Sequence, residues 1–419
     1  MSTDLQKTIQ GYIEILELSI TNFAGKTESL VGMYDLLEIQ EDIFSPICSG
    51  SVRVLDMNNV FEDLPIVGEE TIRLTYKDEE SAEITREFVV FSISDKVKYN
   101  GKGGVYTINF CSEEMMYNRV RLVSRAFTNM SCSDIVKKVL AFDLNSTKSV
   151  VVEDTMASIN YIAPTVHPFA VITSMASRAF STTNKQGSLY LFYEDRDGFK
   201  FLPIETLIKG APLSYRLASA QLDIEYTKDI VISHSFVSPV NNLENIMSGG
   251  YGANVKVLDL DNKQLVSAAY DYFDDKQYMK EDHVNGNNPN YKLTTSKFKY
   301  KSTDGLYRVV VGADVNRDNA LAKRHAKLSA FINGPKLVIE VPFSADITVG
   351  KMVDIHIPNS IRGEEFGMRD EYSSGKYLAT AVRHIIGAET GTTSIELVRD
   401  TWSGDHEENL EKHNKRLGI

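Results

Sequence analysis

The sequence predicts a mainly β protein with α+β insertions. Apolar and polar residues alternate with a period of two along residues 12–110 and again along residues 337–398, as in strands with one buried face. Between these regions the apolar spacing changes to that of helices, and residues 241–304 are rich in Asn, Gly, Asp and Tyr. The length of 419 residues exceeds what one hydrophobic core usually serves. Two similar barrels with insertions would produce this order, and a single large β sandwich is the alternative.

The composition is that of a globular protein and argues against several functional classes. With 57 acidic and 45 basic side chains the formal net charge is −12, which disfavours a protein that grips nucleic-acid phosphates. Cys48, Cys111 and Cys132 are too few and too far apart for a disulfide framework or a zinc site with four thiolates. The longest stretch without charged residues, 155–177, contains two prolines and is not a membrane span.

Residues 1–110 are predicted to form the first barrel. Short runs enriched in β-branched and aromatic residues follow one another here, and the glycine-rich residues 100–104 predict a hairpin turn. The predicted strands are 13–20, 52–54, 72–76, 88–93 and 105–110.

Residues 111–207 are predicted to form an α+β insertion, which begins with a helix. Met116, Val120, Val123 and Phe127 are spaced at i, i+4, i+7 and i+11, and this spacing predicts one buried helix face.

Two further helices and a hairpin complete the predicted insertion. Ser131 is a plausible N-cap for the second helix, and Pro168 suits the first turn of the third. A hairpin is predicted over 189–201, with its turn at 195–198. The residues expected to face the core are Ile135, Val136, Val139 and Leu140 in the second helix and Phe169, Ile172, Ala176 and Ala179 in the third.

Residues 208–240 and 305–402 are predicted to form the second barrel, interrupted by an inserted loop-rich domain at 241–304. A helix is predicted over 317–332, with Leu321, Leu328 and Ile332 on one face. Residues 403–419 form a charged tail, expected as a short helix or an extended arm. The predicted strands of this region are 230–236, 337–343, 352–357, 377–382 and 394–398.

No catalytic, cofactor or metal site is predicted. Residues 270–283 offer five carboxylates and a histidine, but they lack the glycine and the ligand spacing of a calcium loop. Residues 259–262 resemble the start of such a loop, but a turn between strands is the preferred interpretation. His325 and His384 are expected to be structural, because no nucleophile with a matching context accompanies either.

The segment 41–56, continuing to 64–70, resembles the baseplate hub protein of contractile-tailed phages. Its features are a turn at Pro46, a strand that ends in Asp56, a loop, and a sharp turn at Gly68. The C-terminal part is similar in the order of its motifs to hub proteins and to the hub half of type VI secretion spike proteins. These motifs lie at 324–328, 348–358, 374–384 and 393–400.

This resemblance implies two tube-type β-barrels per chain. A homotrimer would then present six barrels and adapt a sixfold tail tube to a threefold central spike. The implied partners are the spike protein, the tail tube protein and baseplate wedge proteins, with no membrane span and DNA only in transit through the channel. The implied location is the tail baseplate of the virion, after assembly in the host bacterial cytoplasm. Since no β-helix follows the second barrel, the spike is expected to be a separate polypeptide.

Seven residues are interface candidates under this resemblance. Four lie in the first matching segment and three near the C-terminus. Two alternatives stay open: an envelope-degrading tail enzyme (a glycosidase or peptidase) that uses residues 270–283, or a host-recognition adhesin in which that run binds sugars. The interface candidates are Ile43, Phe44, Pro46, Gly68, Trp402, Leu410 and Leu417.

Overall fold

A computed structural model describes most of the chain between residues 11 and 399. The described residues are 11–57, 60, 64, 66–79, 81–98, 103–156, 158–183, 187–217, 228–238, 252–259, 263–271, 306–310, 315–358, 369–370, 373–388 and 390–399.

Seven antiparallel strands form the first β region, in the order β3–β4–β7–β6–β5–β1–β2. The five predicted strands are confirmed. The sequence analysis missed strands β2 and β3. In β3, four acidic residues obscure the alternation of apolar and polar side chains. The strands are β1 Glu14–Thr21, β2 Thr27–Ser29, β3 Tyr34–Asp42, β4 Ser49–Asp56, β5 Thr71–Lys77, β6 Ile84–Lys98 and β7 Gly104–Cys111.

The segment that follows combines helices with two small sheets. Strand β8 pairs with β10, and β9 adds in parallel to the β11–β12 hairpin. The strands are β8 Ala126–Met130, β9 Val150–Val152, β10 Ile159–Ile162, β11 Tyr190–Asp195 and β12 Gly198–Pro203. The helices are Glu114–Val120, Cys132–Lys138 with its π-helical extension Val139–Asp143, Pro168–Ala176 and Ile204–Leu207.

The second and third predicted helices and the hairpin are confirmed. The Ser131 hydroxyl caps its helix by accepting from the backbone N–H of Asp134 at 3.1 Å. Pro168 occupies the first turn of the next helix. All eight residues predicted to face the core from these helices are buried.

The first predicted helix is wrong beyond Val120. The helix Glu114–Val120 ends because Arg121 adopts an extended backbone, with φ −98° and ψ 144°. Val123 then forms a β-bridge and Phe127 lies in strand β8, so both are buried from strand positions. Val120 itself is 83% exposed. The helical spacing was therefore a coincidence across two types of element.

The remaining elements run from residue 213 to residue 398. The strands are β13 Leu213–Leu217, β14 Ile230–Val231, β15 Ser233–Ser238, β16 Gly252–Asp259, β17 Gln264–Asp271, β18 Leu306–Val310, β19 Lys336–Pro342, β20 Met352–His356, β21 Gly375–Ile386 and β22 Gly391–Val398, and the helix is Val315–Ile332.

The pairings of the second β region form a closed path. They run β14–β13–β20–β21–β22–β19–β15. Strands β14 and β15 are consecutive parts of one stretch, broken at Ile232, whose N–H donates to the Glu340 carbonyl of β19 at 2.7 Å. The path therefore returns to its starting stretch around one hydrophobic core.

The first β region also closes, but it uses a strand of the second. The far half of β21 pairs with β3. The tip of the β21–β22 hairpin then reaches the start of β1, where Tyr12 bridges to Thr390 and the Gly391 N–H donates to the Gly11 carbonyl at 3.2 Å. Strand β21 is thus a wall of both rings.

Strands β16, β17 and β18 form a separate sheet, in the order β17–β16–β18. The helix Val315–Ile332 packs on β16 and β17. The prediction of a loop-rich segment missed β16 and β17. Strand β18, predicted to belong with the second barrel, pairs in parallel with β16.

The predicted helix near residue 317 is confirmed, but one residue of its predicted face is misplaced. Ile332 is exposed, whereas Phe331 and Lys327 are buried. Leu328 is partly buried against the second core, as predicted.

The two rings interlock through their cores. Ile43, which follows β3, lies in the core of the second ring. In return, Phe343, Ala345 and Ile386 of the second region lie in the core of the first. A third core holds the helices Cys132–Lys138 and Pro168–Ala176 with one face of the β11–β12 hairpin, whereas the other face of the hairpin and the helix Ile204–Leu207 lie in the core of the second ring. Two rings that exchange core residues and share a strand are expected to move as one body.

Candidate functional site

The candidate functional site is the junction at which the two rings meet the segment after β7. Three pieces of chain converge there: the end of β3 with its following turn, strand β6, and the β11–β12 hairpin. The turn forms because the Asp42 carboxylate accepts from the Phe44 N–H at 2.8 Å and the Ser45 N–H donates to the Asp42 carbonyl at 2.9 Å. This turn brings the backbone of Cys48 to the hairpin.

A buried ion pair crosses the inside of the junction. Arg86 of β6 donates to the Glu41 carboxylate of β3 at 3.0 Å, and their side chains are 7% and 1% exposed. The other carboxylate oxygen of Glu41 accepts from the Val349 N–H at 3.4 Å. One carboxylate therefore joins two strands of the first ring to the loop that precedes β20.

A second buried carboxylate, Glu194 of β11, joins the hairpin to the first ring. It accepts from the Cys48 N–H at 3.0 Å and from the Ser112 hydroxyl at 2.5 Å. Its other oxygen accepts from the Lys148 ammonium at 2.7 Å, and Lys148 also binds Glu114 at 2.7 Å. Because charge-assisted hydrogen bonds in a buried setting are costly to break, these contacts fix the hairpin on the ring.

Burial dominates the protonation of the junction. It raises the pKa of Glu41 to about 7, although the Arg86 guanidinium opposes that change. It also raises the pKa of the Cys48 thiol well above its ordinary value. On the first ring's wall, burial lowers the pKa of His384 to about 3, and Arg86 adds to that effect. Near neutral pH His384 is therefore uncharged.

A cleft of about 620 Å³ opens beside the junction, between β5–β6 and the segment after β7. Its basic lining residues already have partners: Arg86 binds Glu41, Lys148 bridges two carboxylates, and Arg196 binds Asp197. Within the described ranges, no group of three or more His, Cys, Asp or Glu side chains could hold a metal ion. The charged groups of the junction thus act as ties between elements.

A further buried pair attaches the long helix to the segment after β7. Lys327, which is 0% exposed, binds Glu205 at 2.7 Å. One turn earlier, Arg324 donates to the carbonyls of Ala176 and Tyr190 at 3.2 and 2.9 Å. Burial lowers the pKa of Arg324 to about 10.

Four predicted interface residues lie around the turn and loops of the first ring. Ile43 is fully buried in the second core, whereas Phe44 is 47% exposed with its ring centroid 6.5 Å from that of Phe331. Pro46 is half-buried. Gly68 is half-buried and has a φ of +103°, and its N–H donates to the Glu70 carboxylate at 2.9 Å.

The three C-terminal interface candidates, Trp402, Leu410 and Leu417, lie outside the described residues, as does the tail 403–419.

The remaining sequence candidates occupy ordinary positions. His384 is buried and hydrogen-bonded to the Thr393 hydroxyl at 3.0 Å, which agrees with a structural role, and His325 is half-buried. Asp259 ends β16, which pairs antiparallel with β17, and residues 260–262 of the predicted turn lie outside the described part of the chain. Of the acidic run 270–283, residues 272–283 lie outside the described part of the chain.

Sequence reasoning missed the junction, although a signal for it exists. Arg86 shares the inward phase of β6 with Phe88 and Val90. Likewise Lys327 precedes the buried Phe331 by four residues on the helix. A charged residue in phase with apolar core positions indicates a buried pair, but its partner is fixed only by the tertiary fold.

Among described residues, no helix is long and apolar enough to cross a membrane. Comparison with known proteins finds no matching family model. A sequence relative is the probable baseplate hub protein gp334 of Vibrio phage KVP40, which is 21% identical over 391 residues. That match covers 87% of this chain and 89% of the relative.

Two solved structures share the fold over nearly their full length. A tail protein from Neisseria meningitidis MC58 has a TM-score of 0.55 at 13% identity, covering 94% of this chain and 98% of its own. The 43 kDa tail protein of prophage MuSo2 from Shewanella oneidensis has a TM-score of 0.53 at 10% identity, covering 92% and 99%. The chain therefore has the fold of phage tail proteins. Within that class it resembles the baseplate hub proteins of contractile-tailed phages.

Proposed function

We propose that this chain is the structural hub of a phage tail baseplate and works as a homotrimer. Each chain would supply two tube-type barrels, so that three chains place six barrels around one axis and join a sixfold tube to a threefold spike. The observation that carries the proposal is the pair of closed strand rings in one chain, each with its own core and both sharing β21. The sequence similarity to a probable hub protein over 87% of the chain supports it.

The domain division that goes with this proposal follows the two rings. Residues 1–110 would be the first barrel, and residues 208–240 with 305–402 the second. Residues 111–207 and 241–304 would be decorations on the ring. The core around the helices Cys132–Lys138 and Pro168–Ala176 and the separate β16–β17–β18 sheet support this division, with strand β18 as part of the decoration, and residues 189–207 also pack into the core of the second ring.

The interlocked rings suit an adaptor. A trimer with mismatched symmetries above and below requires a fixed angle between the two barrels of each chain. The shared strand, the exchanged core residues and the Glu41–Arg86 pair all oppose rotation of one ring against the other.

Neighbouring chains would meet through strand edges. Within the described residues, β2 pairs with β1 alone and β15 with β19 alone. Unpaired edges are aggregation sites unless something covers them, so an obligate trimer interface above roughly 2,000 Å² is expected there. Phe44 and Gly68 would lie near such contacts, and the tail 403–419 would reach the spike or a neighbouring hub chain.

The acidity of the chain has a role in this proposal. Three copies would carry three times the −12 charge of one chain, and an acidic channel wall repels DNA phosphates in transit. The spike, the tail tube and the wedge proteins would be its partners, assembled with the hub in the host cytoplasm. The chain would have no enzymatic role.

The mass of the purified protein in solution tests the proposal. Light scattering should give three times the chain mass of 46.9 kDa, and a complex with the spike protein should keep that stoichiometry. A stable monomer with and without spike would contradict the hub role. Deleting residues 404–419 separates spike binding from trimer formation. Loss of spike binding with an unchanged trimer mass would show that the tail contacts the spike.

A further inference from the structure

An exposed apolar patch lies on the segment after β7, at the end of the helix Glu114–Val120. Val120, Leu122 and Phe142 are 83%, 54% and 70% exposed. Arg121 joins the two pieces of chain, because its guanidinium donates to the Phe142 carbonyl at 3.2 Å and to the next carbonyl at 2.9 Å. The helix end and the π-helix thus hold these three side chains in one region, here named the apolar patch.

Three arginines within seven residues frame the apolar patch. Arg119 is exposed and makes no ion pair within the described residues. Arg121 is fixed by its two carbonyl contacts and lies over the Tyr117 ring at 4.7 Å. Arg125 pairs with Asp143, the carboxylate that adjoins the patch. These three positive charges, against Asp143 and the exposed Glu113 whose carboxylate accepts from the Tyr117 hydroxyl at 3.1 Å, leave the region with a net charge of +1 on a chain whose net charge is −12.

We infer that the apolar patch docks an acidic polypeptide segment of another protein, with an aliphatic or aromatic side chain of that segment as its anchor. Arginine and large apolar side chains are enriched in the centres of protein interfaces. Fixing the Arg121 guanidinium before binding lowers the entropy lost on association. The basic frame complements acidic residues on the partner and steers it to the surface. This inference is independent of the number of chains in the hub.

Two other occupants are less suited to the patch. A second copy is assigned elsewhere in the proposed trimer, where chains meet through the edges of β2 and β15 in the two rings and not through the segment after β7. An anionic membrane would be repelled by the net negative charge of the chain, and interfacial binding usually relies on a long amphipathic helix, whereas the helix here has seven residues.

Binding of two labelled peptides to the full chain tests the inference. One peptide alternates Glu and Leu, and the other carries Lys in place of each Glu. Fluorescence anisotropy at low salt should show binding of the Glu–Leu peptide alone. Phe142→Ser and Arg119→Glu should each weaken it about tenfold or more, the loss expected for a central anchor or a steering charge. The matched control is Phe23→Ser, because Phe23 is 73% exposed in the turn before β2 and lies in the first β region.

Several outcomes would overturn the inference. They are equal binding of the Lys–Leu peptide, no binding at millimolar concentration, or an equal loss with Phe23→Ser. A change in the mass of the chain with Phe142→Ser would make a second copy the occupant. If the protein sediments with phosphatidylglycerol vesicles and Phe142→Ser abolishes this sedimentation, the occupant of the patch is a membrane. Unchanged thermal unfolding of each variant shows that the fold is intact, since all the mutated side chains are exposed.

Discussion

Replacing Glu41 with Gln should change how the stability of the protein depends on pH. The Glu41 carboxyl has an ordinary pKa of 4.5 and a pKa of about 7 in the fold, so the folded state keeps a proton that the unfolded state releases. Stability from this group is present below pH 4.5 and is lost as the pH rises to 7. The difference between these pKa values corresponds to about 3 kcal/mol. Gln keeps the shape of the protonated acid and cannot release a proton.

The measurement is the free energy of unfolding of both proteins by urea denaturation from pH 4 to pH 8. The value for Glu41→Gln minus that for the parent should rise by about 3 kcal/mol across this range. His384 contributes the opposite slope in both proteins, because its pKa falls from 6.5 to about 3 on folding and its stabilisation is lost on acidification. That contribution cancels in the difference. Glu87→Gln, at an exposed neighbouring position, is the control and should give a flat difference.

A flat or falling difference for Glu41→Gln would refute the reasoning, because it would mean that burial does not govern the carboxyl. A rise of similar size for Glu87→Gln would show that the effect is not specific to the junction.

Two further substitutions test the ties between the rings and the attached helix. Gly11→Ala should lower the free energy of unfolding by about 2 kcal/mol, because φ is +63° and a β carbon would lie 2.5 Å from a backbone nitrogen. The control is Gly25→Ala, where φ is +78° but the space around the glycine is open, and it should lower the free energy of unfolding by about 1 kcal/mol in the same urea titration. Equal decreases for Gly11→Ala and Gly25→Ala would contradict the closure of the first ring. Lys327→Met should lower the stability measured by thermal unfolding by about 3 to 5 kcal/mol, because it leaves the Glu205 carboxylate buried without its ammonium partner. Lys137→Met removes one partner of an exposed pair and should lower it by under about 1 kcal/mol. Similar decreases for the two variants would count against a stabilising role of the buried pair.

The strands could be predicted from the sequence wherever one face is buried. Leu337, Ile339 and Val341 of β19 alternate with polar neighbours, and the strand lies where that pattern indicates. Alternation gives no information about which strands pair. The shared role of β21 rests on contacts between residues more than 300 positions apart, which no local pattern contains.

The errors in the helix boundary and in the buried charges arose because a local sequence pattern does not show which distant residues come into contact. Val120 fell into helical phase with two residues that later proved to be buried from strands, so periodicity alone could not place the end of the helix. The buried charges were missed because Arg86 and Lys327 look like surface residues until a partner carboxylate is brought to them by the fold. The sharp turn predicted at Gly68 followed directly from the residue type, because its φ of +103° favours glycine.

Cryo-electron microscopy of the purified protein tests the hub proposal most directly. The proposal predicts a closed ring of three chains with threefold symmetry, in which six β-barrels surround one channel with approximate sixfold symmetry. Single chains, or a ring with any other number of copies, would contradict it.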